Sequence, residues 1–144
     1  KKAIRRMRGF RGYVSSRIFC EERVPQHVQN LVIRDYCARK GLTYLLSATE
    51  YAMPSCYMML EQTMNDLDNL DGIVCYSLFQ LPSDRIRRMQ LFERILENER
   101  ELHFAVEFLS ICETDNIKRI EDIWSVHTAL PDSLSARNLA MSLR

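Results

Sequence analysis

Short apolar runs alternate with longer amphipathic segments along most of this chain. The clearest run is 73–78, Ile-Val-Cys-Tyr-Ser-Leu, which is β-branched and aromatic and carries no charge, as a central parallel strand does. Three other runs have a similar character, and the spans between them are long enough for helices. The second run, at 43–48, is predicted to be a strand buried on both faces. The pattern therefore predicts strands at residues 9–15, 43–48, 73–78 and 102–106.

Helix signals occupy the spaces between these strands. Pro25 suits the first turn of a helix, because its missing N–H has no helical partner there. Gly41, which follows Arg39 and Lys40, predicts the end of that helix. Ser55 is predicted to cap the second helix. The third and fourth helices are expected to start at Pro82-Ser83 and at Thr114 or Asp115.

Strands that alternate with helices favour β-α-β units with right-handed crossovers. The expected fold class is α/β. We expect a three-layer sandwich with a mostly parallel, four- to five-stranded sheet. A single domain of this kind is predicted over residues 1–130.

The tail at 131–144 is predicted to be helical, because its apolar residues fall on one helical face. It packs on the parent domain, contacts a second subunit or stays disordered. Because the tail could contact a second subunit, we expect a homo-oligomer, specifically a dimer. The apolar face consists of Ala136, Leu139, Ala140 and Leu143.

Composition and charge indicate an ordinary soluble domain. The chain has 144 residues, of which 47% are apolar and 27% charged, and its net charge is +1. So small a net charge gives the molecule little attraction for nucleic acid or an anionic membrane, and neither is expected as a partner. Residues 1–11 are the exception. They are rich in Lys and Arg and form either a solvated leader or a patch that attracts anions.

The five cysteines and three histidines show no metal-binding or redox spacing. The cysteines are odd in number and include no C-x-x-C pair, and the histidines form no H-x-x-x-H motif. We therefore expect neither a metal nor a cofactor. Free thiols, and the lack of an apolar run of membrane length, predict a soluble cytoplasmic protein.

Polar side chains follow the first predicted strand, where ligands of open parallel sheets bind. Ser15, Ser16 and Arg17 lie in the loop, and Gln26 opens the next helix. Two hydroxyls and a guanidinium suit a carboxylate, phosphate or sugar oxygen. We predict Ser15 or Ser16 as a nucleophile or ligand donor, while Arg17 and Gln26 bind the ligand. Alternatively, the serines cap backbone groups and Arg17 is solvated.

Two carboxylates, Glu50 and Glu107, end the second and fourth predicted strands and could face one crevice. Such a pair could perform acid–base catalysis or bind sugar hydroxyls. Alternatively, each carboxylate caps the following segment or pairs with an arginine. Tyr51, Ser77 and Gln80 lie near the same edge and are predicted to bind the ligand. A dinucleotide or P-loop site is not expected, because no G-x-G-x-x-G or Walker element is present.

Four segments of the chain carry a specific resemblance: R-G-Y-V-S-S-R at 11–17, V-P-Q-H-V-Q-N-L-V-I-R-D-Y at 24–36, L-S-A-T-E-Y-A-M at 46–53 and L-D-G-I-V-C-Y-S-L-F-Q-L-P at 70–82. They resemble the sporadic carbohydrate cluster protein family, and the resemblance extends over roughly residues 8 to 126. Members of this family are encoded among genes for surface polysaccharide and unusual sugar synthesis, so the resemblance implies a pathway rather than a defined reaction.

The first predicted helix is rich in Gln and ends in a Tyr-Cys–Gly-like segment, with Gln26, Gln29, Tyr36, Cys37 and Gly41. This segment resembles, more remotely, the catalytic domain of serine recombinases. That domain begins with a Tyr-containing strand that ends in an Arg and a nucleophilic Ser, and its third strand carries an Asp-Arg-Leu-x-x-Arg motif. The resemblance implies a resolvase- or flavodoxin-like sandwich.

The recombinase pattern is broken at the residues that would carry its chemistry. Arg17 follows the two serines, whereas the family has Arg two residues before Ser. Residues 77–80, Ser-Leu-Phe-Gln, stand where Asp-Arg is expected, and only Arg85 and Arg88 could substitute. No DNA-binding helix-turn-helix is found. The resemblance therefore implies the fold and argues against DNA strand exchange.

The sequence thus predicts a cytoplasmic accessory protein or enzyme of surface-carbohydrate biosynthesis. It is expected to bind an anionic or sugar ligand at the carboxyl edge of its sheet, and whether it turns that ligand over stays open. One alternative is a non-catalytic dimeric scaffolding or binding module. The other is a degenerate recombinase-like domain that binds nucleic acid.

Overall fold

The computed structural model of the chain describes residues 8–18 and 23–129. The predicted helical tail at 131–144 lies outside these residues, and so does most of the basic leader. Within the described ranges, no helix is long and apolar enough to cross a membrane.

A five-stranded sheet forms the centre of the molecule. The strands follow the order β2-β1-β3-β4-β5 across the sheet. Neighbours among the first four strands are parallel, whereas β5 is antiparallel to β4. The prediction of a mostly parallel sheet is confirmed. The strands are Phe10–Ser15 (β1), Tyr44–Glu50 (β2), Gly72–Cys75 (β3), Glu101–Phe104 (β4) and Leu109–Ile111 (β5).

Within residues 8–18 and 23–129, four α-helices cover the sheet and follow β1, β2, β3 and β5 along the chain. Two 3-10 turns, Leu67–Asn69 and Leu78–Gln80, complete the connections. The first helix begins after Pro25 and ends at Gly41, which adopts a left-handed conformation with φ of 70°, as its sequence predicts. The helices are Gln26–Lys40 (α1), Met58–Asn65 (α2), Arg85–Glu97 (α3) and Asp115–Ala129 (α4).

Alternate residues of the central strands face opposite layers of helices. Tyr13 and Ile73 belong to the core beneath α2, α3 and α4, whereas Val14 and Val74 belong to the core beneath α1. Helices therefore lie on both faces of the sheet, and the predicted three-layer sandwich is confirmed. Helix α1 is alone on its face among the helices of the described residues.

The prediction that the second strand is buried on both faces is wrong. Strand β2 lies at one edge of the sheet, and the side chain of Leu46 is 74% exposed. An apolar run alone does not distinguish a central strand from an edge strand, because single exposed leucines are common on protein surfaces.

The predicted start of the second helix is also wrong. Helix α2 begins at Met58, and Ser55, the expected cap, has a positive φ of 58° in the loop before it. The cap comes instead from Glu50 at the end of β2, whose carboxylate accepts hydrogen bonds from the backbone N–H groups of Met59 and Leu60. A carboxylate at this position also interacts favourably with the helix dipole.

Candidate functional site

Gln29 of α1 occupies the centre of a buried polar network at the carboxyl edge of the sheet. Its side-chain nitrogen donates to the carbonyl oxygens of Ser15, at 2.6 Å, and Val24, at 2.8 Å. Its side-chain oxygen accepts the N–H of Ser15 at 3.1 Å. Gln29 therefore replaces the sheet partners that the backbone of Ser15 lacks at the end of β1.

Gln80 connects this network to the end of β3. Its side-chain nitrogen donates to Oε1 of Gln29 at 2.8 Å, and its side-chain oxygen accepts the N–H of Ser77 at 3.3 Å. The Ser77 hydroxyl accepts the N–H of Phe79, so Ser77 and Gln80 form a capping box on the short 3-10 turn. One continuous set of hydrogen bonds thus joins the ends of β1 and β3.

Glu107 extends the same network from the turn between β4 and β5. Its carboxylate accepts the hydroxyl of Ser77 at 2.8 Å and the N–H of Leu78 at 2.9 Å. Glu107 therefore caps a 3-10 turn that precedes it in the chain, whereas the sequence suggested a cap on the segment that follows it. Its acid–base role stays a prediction.

Glu50 is buried at the end of β2 and is also occupied by donors from the protein. Besides the two N–H groups of α2, it accepts the phenol hydroxyl of Tyr13 at 2.8 Å. Burial, followed by the negative charge of Glu50, raises the pKa of Tyr13 well above its usual value. Tyr13 therefore remains a protonated donor, and the catalytic role of Glu50 also stays a prediction.

Arg17 crosses the rim between β2 and β3. Its guanidinium group donates to the carbonyl oxygens of Cys56, at 2.7 Å, and Gln80, at 3.2 Å. It also lies 4.4 Å from the ring centroid of Tyr57. Since both hydrogen bonds end on neutral carbonyls, they fix the position of the guanidinium without neutralising its charge.

A cavity of about 220 Å³ lies between α2 and α3, and Arg17 contacts the ring of Tyr57 at its margin without lining it. Tyr57 belongs to its lining, and the guanidinium of Arg87 lies 5.0 Å from the same ring. Arg94 contributes a second lining cation and hydrogen-bonds to Glu61 and Asn65. The remaining lining residues are Leu60, Glu61, Met64, Pro82, Gln90 and Leu91.

The site residues predicted from the sequence differ in their burial and in their contacts at this edge. Ser15 is fully buried, and its hydroxyl accepts the N–H of Arg17 at 3.2 Å. Ser16 is partly exposed next to it, and Tyr51 is 51% exposed just beyond β2. Gln29, rather than the predicted Gln26, is the residue of α1 that enters the network.

Hydrogen bonds also connect the other predicted residues across the rim. Arg17 reaches Ser77 through Gln80, and Ser77 contacts Glu107 directly. Arg17 also binds the carbonyl of Cys56, whose thiol lies 3.8 Å from Oε2 of Glu50. These contacts place Arg17, Ser77, Glu107 and Glu50 along one edge of the sheet, and their binding and catalytic roles stay predictions.

Sequence reasoning missed three residues of the cavity: Tyr57, Arg87 and Arg94. Tyr57 looks like part of an apolar helix stripe, and Arg87 stands within the charged run at 84–88 that is typical of a solvated face. The signal that could have found them is the position of Tyr57 and Arg87 near the starts of helices that follow parallel strands.

Arg88, one of the two arginines considered as substitutes for the recombinase motif, has a structural role. It is buried and donates twice to the carboxylate of Glu121, at 2.7 and 2.8 Å. Its remaining side-chain hydrogen bonds go to the carbonyls of Pro82 and Ser83. Arg85, the other candidate, is exposed and approaches Glu121 at 3.6 Å.

Comparison with known proteins identifies the fold. No protein-family model matches the chain, and neither does any curated protein. Among solved structures, the chain is similar to the N-terminal catalytic domain of TP901-1 integrase, with a TM-score of 0.57. The two share 14% sequence identity over 81% of this chain and 92% of that domain.

The fold is therefore that of a serine recombinase catalytic domain, a mixed α/β fold of the resolvase type. The remote resemblance to this class is confirmed at the level of fold. The resemblance to the carbohydrate cluster family has no support from these comparisons. Fold and function are separable, because one architecture can serve unrelated chemistries.

Proposed function

We propose that this protein binds a small phosphorylated sugar beside Arg17 and Tyr57, at the carboxyl edge of its sheet. It would do so as an accessory protein or enzyme of surface-carbohydrate biosynthesis. The observation that carries the proposal is the pair of guanidinium groups, from Arg17 and Arg87, that approach one tyrosine ring at a cavity.

The charges around the cavity favour an anionic ligand. The lining contains two arginines, Arg87 and Arg94, and one acidic residue, Glu61, which pairs with Arg94. Arg17 adds a further positive charge over the ring of Tyr57. Guanidinium groups bind phosphate oxygens with paired hydrogen bonds, and Arg17 is already held in place by two carbonyls. A guanidinium fixed in advance loses less side-chain entropy when a ligand binds.

The size of the cavity favours a monosaccharide phosphate over a larger cofactor. Its volume of about 220 Å³ is below the roughly 300–1,000 Å³ of sites for drug-sized ligands. Gln90 and Glu61 offer donors and acceptors for sugar hydroxyls. Leu60, Met64 and Leu91 supply an apolar wall. The carbohydrate pathway itself rests on the family resemblance of residues 8 to 126.

Thermal denaturation and calorimetry with glucose 1-phosphate, glucose and inorganic phosphate test this proposal. We expect glucose 1-phosphate to raise the melting temperature more than the other two probes. At a ligand concentration of 100 Kd, the stabilisation is about 2.7 kcal/mol. Arg87→Ala should weaken binding at least tenfold, which is about 1.4 kcal/mol. Arg119→Ala, an exposed arginine on α4, is the matched control and should bind as the wild type does.

Two results would overturn the proposal. One is a panel of sugar phosphates that leaves the melting temperature of the folded protein unchanged. The other is binding that survives in Arg87→Ala and in Arg17→Ala alike. Stabilisation by UDP-glucose without any response to glucose 1-phosphate would contradict the size argument and place the ligand elsewhere.

The likeness to the TP901-1 integrase domain favours a second candidate, a nucleic-acid-binding module without strand exchange. Strand exchange is not proposed, because the hydroxyl of Ser15 is buried and hydrogen-bonded to the backbone. Fluorescence anisotropy with duplex DNA at two salt concentrations tests the module. Phosphate contacts would make its affinity fall steeply with salt. DNA binding that glucose 1-phosphate leaves unchanged would favour this candidate.

A further inference from the structure

Three side chains that commonly bind transition metals meet at the β4–β5 edge of the sheet. One ligand atom each of Glu101, His103 and Cys112 lies within 4.8 Å of the other two. Glu101 is the first residue of β4, so this cluster lies near the amino end of the strand. The site proposed around Arg17 lies at the opposite, carboxyl edge.

The antiparallel ladder explains why these residues meet. Glu101 and His103 are two positions apart on β4, so their side chains point to the same face. Leu102 pairs with Ile111 across the ladder. Cys112, which follows Ile111, therefore stands opposite Glu101 and on the same face. The backbone of two paired strands thus fixes all three positions.

A hydrogen bond to Tyr36 orients the histidine. The Tyr36 hydroxyl lies 2.6 Å from Nδ1 of His103, while Nε2 lies 2.9 Å from Oε1 of Glu101. Because the hydroxyl of Tyr36 contacts Nδ1, the other ring nitrogen, Nε2, faces the carboxylate of Glu101. Metal-binding histidines donate their other ring N–H to an oxygen atom, which fixes the tautomer and the ring direction, and the Tyr36 oxygen is in position to accept Nδ1–H.

We propose that Glu101, His103 and Cys112 form a site for zinc or a similar divalent transition metal. Carboxylate oxygen, imidazole nitrogen and thiolate sulfur are the three ligand types that zinc prefers. The metal would bind Nε2 of neutral His103, whose ring proton would be on Nδ1 and would be donated to the hydroxyl oxygen of Tyr36, and the thiol of Cys112 would release its proton to solvent. A water molecule would complete the tetrahedron, as in zinc sites with three protein ligands.

The geometry needs only a small adjustment to hold the ion. Two ligands of a tetrahedral zinc ion are about 3.3–3.8 Å apart, so the longest separation must shorten by about 1 Å. His103 is buried and held by Tyr36, whereas the side chain of Glu101 is 43% exposed and Cys112 is exposed. The side chains of Glu101 and Cys112 can therefore move towards the imidazole of His103, which stays in place.

Sequence spacing predicts no metal here, because the ligands come from two strands rather than from one helix. Glu101 and His103 form no familiar motif, and Cys112 becomes their neighbour only through the turn between β4 and β5. The proposal therefore departs from the expectation of no metal. It does not depend on the sugar-phosphate proposal, since the two sites share no residue.

Loading the full chain with Co²⁺ after removal of metals by a chelator tests the site. We expect visible bands of tetrahedral cobalt, together with a near-ultraviolet thiolate-to-cobalt band. Cys112→Ser should abolish the thiolate band and weaken Zn²⁺ binding at least tenfold. Cys56→Ser, at another partly exposed thiol, is the matched control and should change neither. Tyr36→Phe should keep the thiolate band and weaken Zn²⁺ binding by about 10–100-fold.

Circular dichroism of each variant confirms that the protein tested is folded. The proposal is overturned if folded wild-type protein neither shows the thiolate band nor retains Zn²⁺ against a weak chelator. It is also overturned if the band persists in Cys112→Ser, because the metal then binds another thiol.

Discussion

The phenol of Tyr13 on β1 donates a 2.8 Å hydrogen bond to the carboxylate of Glu50 on β2, the neighbouring strand. The same carboxylate caps the first turn of α2. A strand, its neighbour and a helix are therefore held together by one buried acid. This arrangement gives Glu50 a role in stability that can be measured separately from any role in binding.

Glu50→Ala should lower the free energy of unfolding by about 3 kcal/mol or more. It leaves the Tyr13 hydroxyl and two backbone N–H groups without an acceptor, and each buried unpaired donor costs about 1–3 kcal/mol. Urea denaturation measures the change. Glu93→Ala, on the exposed face of α3, should stay within about 0.5 kcal/mol of the wild type. Unchanged stability in Glu50→Ala would show that the capping contacts contribute little.

Arg88→Ala should destabilise the protein by about 3–5 kcal/mol, because it leaves the buried carboxylate of Glu121 without its partner. Arg85→Ala is the control, since Arg85 approaches the same carboxylate but its side chain is 73% exposed. A surface pair of this kind contributes about 0–1 kcal/mol. Chemical denaturation measures the free energy of unfolding of both variants. An equal loss in Arg85→Ala and Arg88→Ala would contradict the assignment of Arg88 as the structural partner of Glu121.

Gly72→Ala should destabilise the sheet by about 1–3 kcal/mol. A methyl group on Gly72 would collide with the carbonyl oxygen of Glu101 and approach the ring of Phe10. Because the carbonyl belongs to the neighbouring strand β4, relief requires the backbone to move. Thermal denaturation measures the loss, and a stable Gly72→Ala would show that β3 and β4 separate easily.

Gly41→Ala provides the comparison for Gly72, because no atom lies within 4 Å of a methyl group at that position. Its cost should come from the left-handed backbone alone, at about 1–2 kcal/mol. The same denaturation experiment separates a conformational cost at Gly41 from a steric one at Gly72. Introducing asparagine at Gly41 should recover part of the loss, since asparagine tolerates this conformation.

The melting temperature should fall as the pH rises above about 9. Burial raises the pKa of Cys37 to about 11, and burial together with the charge of Glu107 raises the pKa of Cys75 further. The folded protein thus keeps protons that the unfolded chain releases from about pH 9, so stability decreases with pH above that value. Thermal denaturation from pH 7 to pH 11 measures the decrease.

The pH dependence has an internal control. Cys75→Ala removes one of the groups that titrate, so its melting temperature should fall less steeply above pH 9, whatever its stability at pH 7. Parallel curves for wild type and Cys75→Ala would show that other groups govern alkaline stability.

Local sequence signals predicted the parts of the fold that local contacts determine. Helix α1 begins and ends as Pro25 and Gly41 indicate, because both act within their own turn of chain. Helix α2 begins at Met58 rather than near Ser55, because its cap is a side chain from the preceding strand. A loop separates Glu50 from Met58 in the sequence, and the sequence does not reveal the path of that loop. No local sequence rule could therefore predict that Glu50 caps α2.

The candidate site was predictable in the same limited way. The rule that ligands bind at the carboxyl ends of parallel strands located Arg17, Ser77 and Gln80 at one edge. It did not distinguish Gln29 from Gln26, because that choice depends on which face of α1 turns towards β1. It also did not find Tyr57 and Arg87, which meet only after α2 and α3 pack side by side.

The position of β2 at the margin of the sheet affects how the protein must be handled. Its seven residues form an edge strand, and Leu46 on it is largely exposed. Such strands can add a strand from another molecule, which is how many sheet proteins begin to aggregate. The opposite margin, β5, has only three residues and offers a much shorter template. A charged substitution at Leu46 is therefore the first change to make when concentrated samples precipitate.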